Sequence, residues 1–193
     1  MTDLMQTAAD LDGSDTLARW RDEFHIVDTD LAYLDGNSLG MPPKRTLERV
    51  DAVMRDDWAT GLIGSWDHWV DLPLRVGDQL APVIGARPGE VAVHDSTTVN
   101  LYQLIRVALR LRPDRRAIAI DDGDFPTDRY VVDSIAAADG REVRRGFDDL
   151  GDVAVVVRSM IDYRSAEVVD LAAETARIHA AGALVVWDLS HAA

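Results

Sequence analysis

The sequence has no cysteine, which excludes a disulfide framework, a thiolate metal site and a cysteine nucleophile. Lysine is almost as scarce: Lys44 is the single one among 20 basic residues. Any chemistry that needs a lysine amine falls to Lys44 or to residues outside these 193. Positive charge is short as a whole. With 34 acidic residues the formal net charge is −14, which disfavours nucleic acid and anionic membrane surfaces as partners. A small anionic ligand stays compatible, because local donors decide its binding. No apolar run approaches the roughly 20 residues of a bilayer-crossing helix. The first residues, Met-Thr-Asp-Leu-Met-Gln, lack the basic and apolar regions of a secretory signal. These absences point to a cytoplasmic location.

What is present suits a globular chain. Hydrophobic residues make up 47 % and charged residues 28 %, enough apolar material for one ordinary domain with a core. Residues 1–35 read as an acidic amino-terminal arm with weak helical periodicity through Leu11, Leu17 and Trp20, and residues 36–193 as one α/β domain. Near the start of that domain, Gly36-Asn-Ser-Leu-Gly40 marks a tight turn after a short strand. Pro42 and Pro43 open a helix, since proline suits a first helical turn, and that helix is expected to end near Gly61. Trp66, His68 and Trp69 fall in a compact loop over residues 61–73. A helix is expected over 74–84 and a short strand over 91–94. A helix follows with Leu101, Leu104, Ile105, Ala108 and Leu109 as an apolar stripe. After it, strands at 117–120, 142–145, 153–157 and 184–187 alternate with helices at about 126–138 and 168–181. Strand–helix alternation implies βαβ crossovers and a mostly parallel sheet with flanking helices.

In such sheets ligands sit outside the carboxyl ends of the strands, and three stretches carry chemistry there. Ser96, Thr97 and Thr98 stand at a helix start, where free N–H groups, hydroxyls and the helix dipole suit a phosphate; ordinary N-capping accounts for the same residues. In Phe125-Pro126-Thr127-Asp128, the aromatic can stack on a flat ring and the acid can accept a hydrogen bond from it. A buried Phe and a capping Thr127 or Asp128 form the plainer alternative. Asp188 follows the run Leu184 to Trp187, with His191 three residues on. A carboxylate at a strand end can pair with a protonated pyridine nitrogen, while an N-capping Asp and a satisfied His remain open. An Asp-x-x-His metal pair lacks the further ligands that are usual, so no metal is expected. A triad from Ser190, His191 and Asp188 is conceivable, but such close neighbours seldom reach triad geometry.

Taken in this order, the stretches resemble the amino-terminal half of a fold-type-I pyridoxal-phosphate enzyme, and most closely the kynureninases. The resemblance rests on Leu34-Asp-Gly-Asn-Ser-Leu-Gly40, Ser96-Thr-Thr-Val-Asn100, Phe125-Pro-Thr-Asp128, Ser159 before Tyr163, and Trp187-Asp-Leu-Ser-His-Ala192. It implies an incomplete large domain of that fold, with pyridoxal 5′-phosphate as cofactor. By the resemblance, Thr97 and Thr98 hold the phosphate and Phe125 stacks on the ring. Pro126, Thr127 and Asp128 line the ring's hydroxyl side, with Ser159 nearby. Asp188 pairs with the pyridine nitrogen, and His191 completes the pocket. Ser38 and His68 fall at the substrate end, Ser38 in the partner subunit's site, which implies a homodimer with its active site at the interface. The implied reaction is hydrolysis of L-kynurenine or 3-hydroxykynurenine, releasing anthranilate and L-alanine in the case of L-kynurenine. The lysine that carries the cofactor is expected beyond residue 193, so no catalytic residue is expected within the chain. Lys44 and the register of His68 depart from the family pattern. A desulfurase-like or aminotransferase-like relative, or a non-catalytic binding subunit, is the alternative.

Overall fold

The computed structural model describes residues 2–28 and 30–192; Met1, Thr29 and Ala193, inside the expected ranges 1–35 and 36–193, lie outside them. The chain forms two compact units, Met1–Asp71 and Leu72–Ala193. The arm expected over 1–35 is the first part of the first unit.

In the first unit, α1 (Thr2–Ser14) is exposed along its described side chains, and a 3-10 helix spans Ala18–Glu23. Tyr33 and Leu34 belong to no strand. The Tyr33 hydroxyl instead donates to the Asp35 and Leu39 carbonyls of the turn that follows, at 3.1 and 2.6 Å. Pro43 caps α2 (Lys44–Ala52) with extended geometry, as expected for a proline that has no N–H to lose. Beyond α2 the coil widens into a π-helix, Val53–Thr60, closed by the Gly61 N–H on the Asp56 carbonyl at 2.9 Å. The stretch read as a loop from residue 61 is helical in part: a 3-10 turn, Leu62–Ser65, leads into α3 (Trp66–Trp69). Buried Ser65 anchors it by donating to the Asp57 carbonyl at 2.6 Å.

The second unit begins with α4 (Leu72–Leu80). It stops four residues short of the expected end because Pro82 cannot continue the hydrogen-bond ladder. Residues 91–94 form no strand; Val93 gives its N–H to the Pro73 carbonyl at 3.0 Å. The backbone there lies so close to α4 that a Cβ on Gly77 would meet the Val91 oxygen at 2.0 Å. Only glycine fits that approach.

Next come α5 (Thr97–Leu111), β1 (Ala117–Ile120), α6 (Pro126–Asp139), β2 (Glu142–Arg145), β3 (Val153–Ser159), α7 (Leu171–Ala180) and β4 (Leu184–Asp188). All pairings are parallel, in the order β2-β1-β3-β4. Strand residues alternate between two cores, with one break where a register shift against β1 at the start of β3 puts Ala154 and Val155 in the same core. Ile118, Ile120, Val155 and Val157 meet Leu101, Ile105, Val132 and Ile135 of α5 and α6. Ala117, Ala119, Val153 and Val156 meet Ile178 of α7 on the other face. β3 is therefore buried through Val157, whereas β4 at the edge is half-buried. The last helix starts three residues later than its periodicity suggests. Val168 is held in an isolated bridge with Ile161, and Asp170 caps α7 by accepting from the Ala173 N–H at 2.9 Å.

Candidate functional site

Parallel register sets the site. β3 and β4 end side by side, so Ser159 and Asp188 are direct partners across the ladder. The Ser159 hydroxyl donates to Asp188 Oδ2 at 3.3 Å. The Ser190 N–H and hydroxyl donate to Asp188 Oδ1 at 2.9 and 2.5 Å. From the loop after β1, Asp124 accepts the Ser159 N–H at 3.1 Å and the Asp121 N–H at 3.1 Å. That clamp fixes the residues between Asp124 and the first turn of α6. Pro126 takes the first helical position, and Asp128 in that turn lies near enough to Asp188 to feel its charge. Asp128, in the first turn of α6, thus lies near the strand ends that carry Ser159 and Asp188.

The electrostatics follow from burial. Asp128 is 3 % exposed, and desolvation, with the nearby Asp188 and Asp124 carboxylates, pushes it from 3.8 up to about 7. Burial raises Asp124 as well, against the two N–H groups that favour its charge.

Phe125 caps the site with its ring partly exposed. Tyr163 meets it edge-on, with centroids 5.2 Å apart at 74°, an arrangement that leaves an aromatic face available for stacking. At the head of α5, Ser96 does the capping, accepting from the Val99 N–H at 3.4 Å. Among the described residues the N–H groups of Thr97 and Thr98 meet no acceptor, and both side chains are exposed. Capping therefore uses the Val99 N–H and leaves those of Thr97 and Thr98 without an acceptor among the described residues. A cavity of about 350 Å³ lies between α5 and α6 and includes Thr98 and Thr127 with Tyr102 and Tyr130. Phe125, Asp128, Ser159 and Asp188 do not line it.

Other candidates stand elsewhere. His191 is exposed in the turn after β4, and Ser190 is the residue of that turn that holds Asp188. Because Ser190 donates to Asp188 directly, with no imidazole between them, the conceivable triad is not formed. Ser38 lies in the first unit, its hydroxyl on Asp35 at 2.7 Å. His68 lies in α3 of the same unit. Lys44, also in that unit, gives its amine to the Asp22 carbonyl at 2.6 Å. No group of three or more metal-ligating side chains occurs among the described residues. Sequence reasoning passed over Asp124, gave Tyr163 no role of its own and considered Ser190 only as a triad member. Only Asp124 left a signal, an acid run at a strand end.

No protein-family model matches the chain. It is 43 % identical to a kynureninase of Deinococcus radiodurans across 99 % of its own length and 49 % of that protein's. It is 39 % identical to one of Pseudomonas fluorescens across 95 % and 47 %, and 38 % identical to one of Burkholderia pseudomallei across 97 % and 49 %. The chain spans about half the length of the curated relatives it matches. Among solved structures, the cystine C–S lyase C-DES with its product cysteine persulfide superposes with a TM-score of 0.63 at 16 % identity, over 86 % of this chain and 49 % of that one. A C-DES mutant with glycine covalently linked to its PLP cofactor gives 0.62 at 17 %, over 86 % and 48 %. The chain has the fold of these PLP enzymes and is kynureninase-like in sequence along nearly its whole length.

Proposed function

We propose that this kynureninase-like chain supplies one wall of a pyridoxal 5′-phosphate site in an enzyme that hydrolyses L-kynurenine or 3-hydroxykynurenine. From L-kynurenine the products are anthranilate and L-alanine. The observation that carries the reading is the meeting of Asp188 and Ser159 at adjacent strand ends, with Asp128 near them in the first turn of α6 and Phe125 at the head of that helix. Those side chains fit a flat, protonated heteroaromatic ring: an acceptor for its nitrogen, an aromatic face for its plane and a second carboxyl at its edge. The free N–H groups and hydroxyls of Thr97 and Thr98 fit the phosphate. When bound, the cofactor supplies an electron-poor ring that takes up the electron pair released as a bond to the substrate's α-carbon breaks.

The chain's own residues then have definite tasks. Asp188 keeps the ring nitrogen protonated by holding negative charge beside it. Ser159 and Ser190 keep that carboxylate aimed. Phe125, braced by Tyr163, fixes the ring plane. His191, Pro126 and Thr127 border the same site, and Ser38 and His68 serve the substrate end. A homodimer with its active site at the interface is part of the proposal, supported by exposed apolar side chains such as Leu34 and Ile63. So is the cytoplasm, which the lack of cysteine supports. No helix among the described residues is long and apolar enough to cross a membrane.

The test is a titration of the purified protein with pyridoxal 5′-phosphate, read by visible absorbance, for wild type and Asp188→Ala. Borohydride reduction and peptide mapping follow, and anthranilate release from kynurenine is assayed alongside. Saturable binding that Asp188→Ala weakens at least tenfold supports the reading, the scale being that of a lost charge-assisted hydrogen bond. Equal binding by both, or a reduced adduct on Lys44, overturns it. Cleavage of cystine without cleavage of kynurenine would move the assignment to another PLP enzyme of the same fold.

A further inference from the structure

β3 outruns one of its neighbours. β1 stops at Ile120, whereas β3 continues to Ser159. Successive residues of a parallel strand turn their N–H groups to opposite sides, and the Met160 N–H goes to the Asp188 carbonyl of β4 at 3.0 Å. The Ser159 N–H therefore faces the side on which β1 has ended, and a half-buried donor there needs an acceptor. Asp124 provides one. One of its carboxylate oxygens accepts the Ser159 N–H at 3.1 Å, and the other accepts the Asp121 N–H at 3.1 Å. The side chain stands in for strand backbone that β1 no longer offers.

The loop that carries Asp124 is already tight. The Gly123 N–H donates to Asp121 Oδ1 at 2.7 Å, and the Asp124 N–H to the Asp121 carbonyl at 3.2 Å. Residues 121–124 thus form a closed turn, and the Asp124 carboxylate fastens that turn to β3. Phe125 is the next residue, and its ring is held from the same segment. Tyr163, in the loop after β3, meets it edge-on with centroids 5.2 Å apart. Ser159 joins the two walls, its N–H on Asp124 and its hydroxyl on Asp188 at 3.3 Å.

We propose that Asp124 is a positioning residue: it fixes the plane of the Phe125 ring relative to Asp188, and acts on a flat heteroaromatic ligand through Phe125 without touching it. The ligand half of this statement rests on the function proposed above; the hold on Phe125 stands on this chain alone. Asparagine has one acceptor oxygen where Asp124 uses two. Asp124→Asn therefore keeps one of the two bonds and turns amide donors toward the other N–H. Asp124→Ala keeps neither.

Two measurements on the intact protein test this, with urea denaturation confirming that each variant is folded. The first needs no cofactor and reads nuclear Overhauser contacts between the ring protons of Phe125 and Tyr163. They are expected in wild type, weakened in Asp124→Asn and lost in Asp124→Ala, while contacts between the core residues Ile105 and Val132 stay unchanged. The second is titration with pyridoxal 5′-phosphate, together with the induced circular dichroism of the bound chromophore at saturation. Asp124→Asn is expected to bind about threefold and Asp124→Ala about tenfold more weakly than wild type, both with reduced dichroism at saturation. Residues that act through one contact are not additive, so in a Phe125→Ala background Asp124→Ala is expected to change affinity by less than about twofold.

Ring contacts that are absent from wild type, or that survive undiminished in Asp124→Ala, overturn the proposal. So does a full loss from Asp124→Ala on top of Phe125→Ala, or an alanine variant that binds like wild type. Should Asp124→Ala not fold, Asp124→Asn decides by the same two readings, and wild-type ring contacts and affinity in it overturn the proposal. If wild type binds no pyridoxal 5′-phosphate, the cofactor reading fails, and the ring contacts still decide whether Asp124 holds Phe125.

Discussion

Asp128 ties stability to pH in a way its neighbours do not. Its carboxyl, 3.8 in the ordinary case, is pushed up to about 7 in the fold. Between those values the folded chain keeps a proton that the unfolded chain has released. Its contribution to stability is therefore full below about pH 4 and declines as pH rises to about 7. The whole decline is on the order of 4 kcal/mol. Asp128→Asn is expected to match wild type near pH 4 and to become progressively more stable than it up to about pH 7, where the difference levels off. Urea denaturation at a series of pH values measures this, and a difference independent of pH would rule out ionisation of Asp128 as its origin. Ser159 offers a second test. Its hydroxyl reaches Asp188 at 3.3 Å, so Ser159→Ala should weaken pyridoxal phosphate binding by a few-fold up to about tenfold, the scale of one hydrogen bond. Unchanged affinity would show that Ser190 alone holds Asp188. The residues of this network were legible where chain position sufficed: an acid at the end of an apolar strand needs no partner to be noticed. Asp124 and Tyr163 were not, because their importance lies in contacts 35 and 38 residues away along the chain, with Ser159 and Phe125.

At the scale of elements, β1 and β3 of the second unit were readable because burial on both faces leaves continuous apolar runs. The stretch at 91–94 misled for the same reason. An apolar run predicts extension, yet only a neighbour with free N–H and C=O groups makes it a strand. The α5 stripe shows the limit of periodicity: Ile105 is fully buried while Leu104, beside it in the same expected face, is 53 % exposed. Helix geometry places them about 100° apart, so a broad stripe holds both rim and centre. Ile105→Ala should therefore cost about 2–5 kcal/mol through lost burial and a cavity. Leu104→Ala should cost under about 0.5 kcal/mol. Midpoints of chemical denaturation with unchanged slope give both values. Equal losses would mean that Leu104 is covered in solution by something the isolated unit does not provide.

For the whole molecule the dominant quantity is charge. A net −14 repels a phosphate-bearing cofactor at long range, whereas in the proposed site the head of α5 would attract it at short range through unpaired N–H groups and the helix dipole. The two act over different distances and separate by ionic strength. The screening length falls from about 30 Å at 0.01 M salt to about 10 Å at 0.1 M, so added salt removes the long-range repulsion and leaves contact-range donors nearly intact. Association of pyridoxal 5′-phosphate should therefore accelerate several-fold over that range, while its dissociation rate stays nearly constant. Stopped-flow absorbance at a series of potassium chloride concentrations reads both rates. An association rate that falls with salt would show that a local positive field governs approach. Thr97, Thr98 and their helix end would then steer the cofactor from a distance instead of capturing it on arrival.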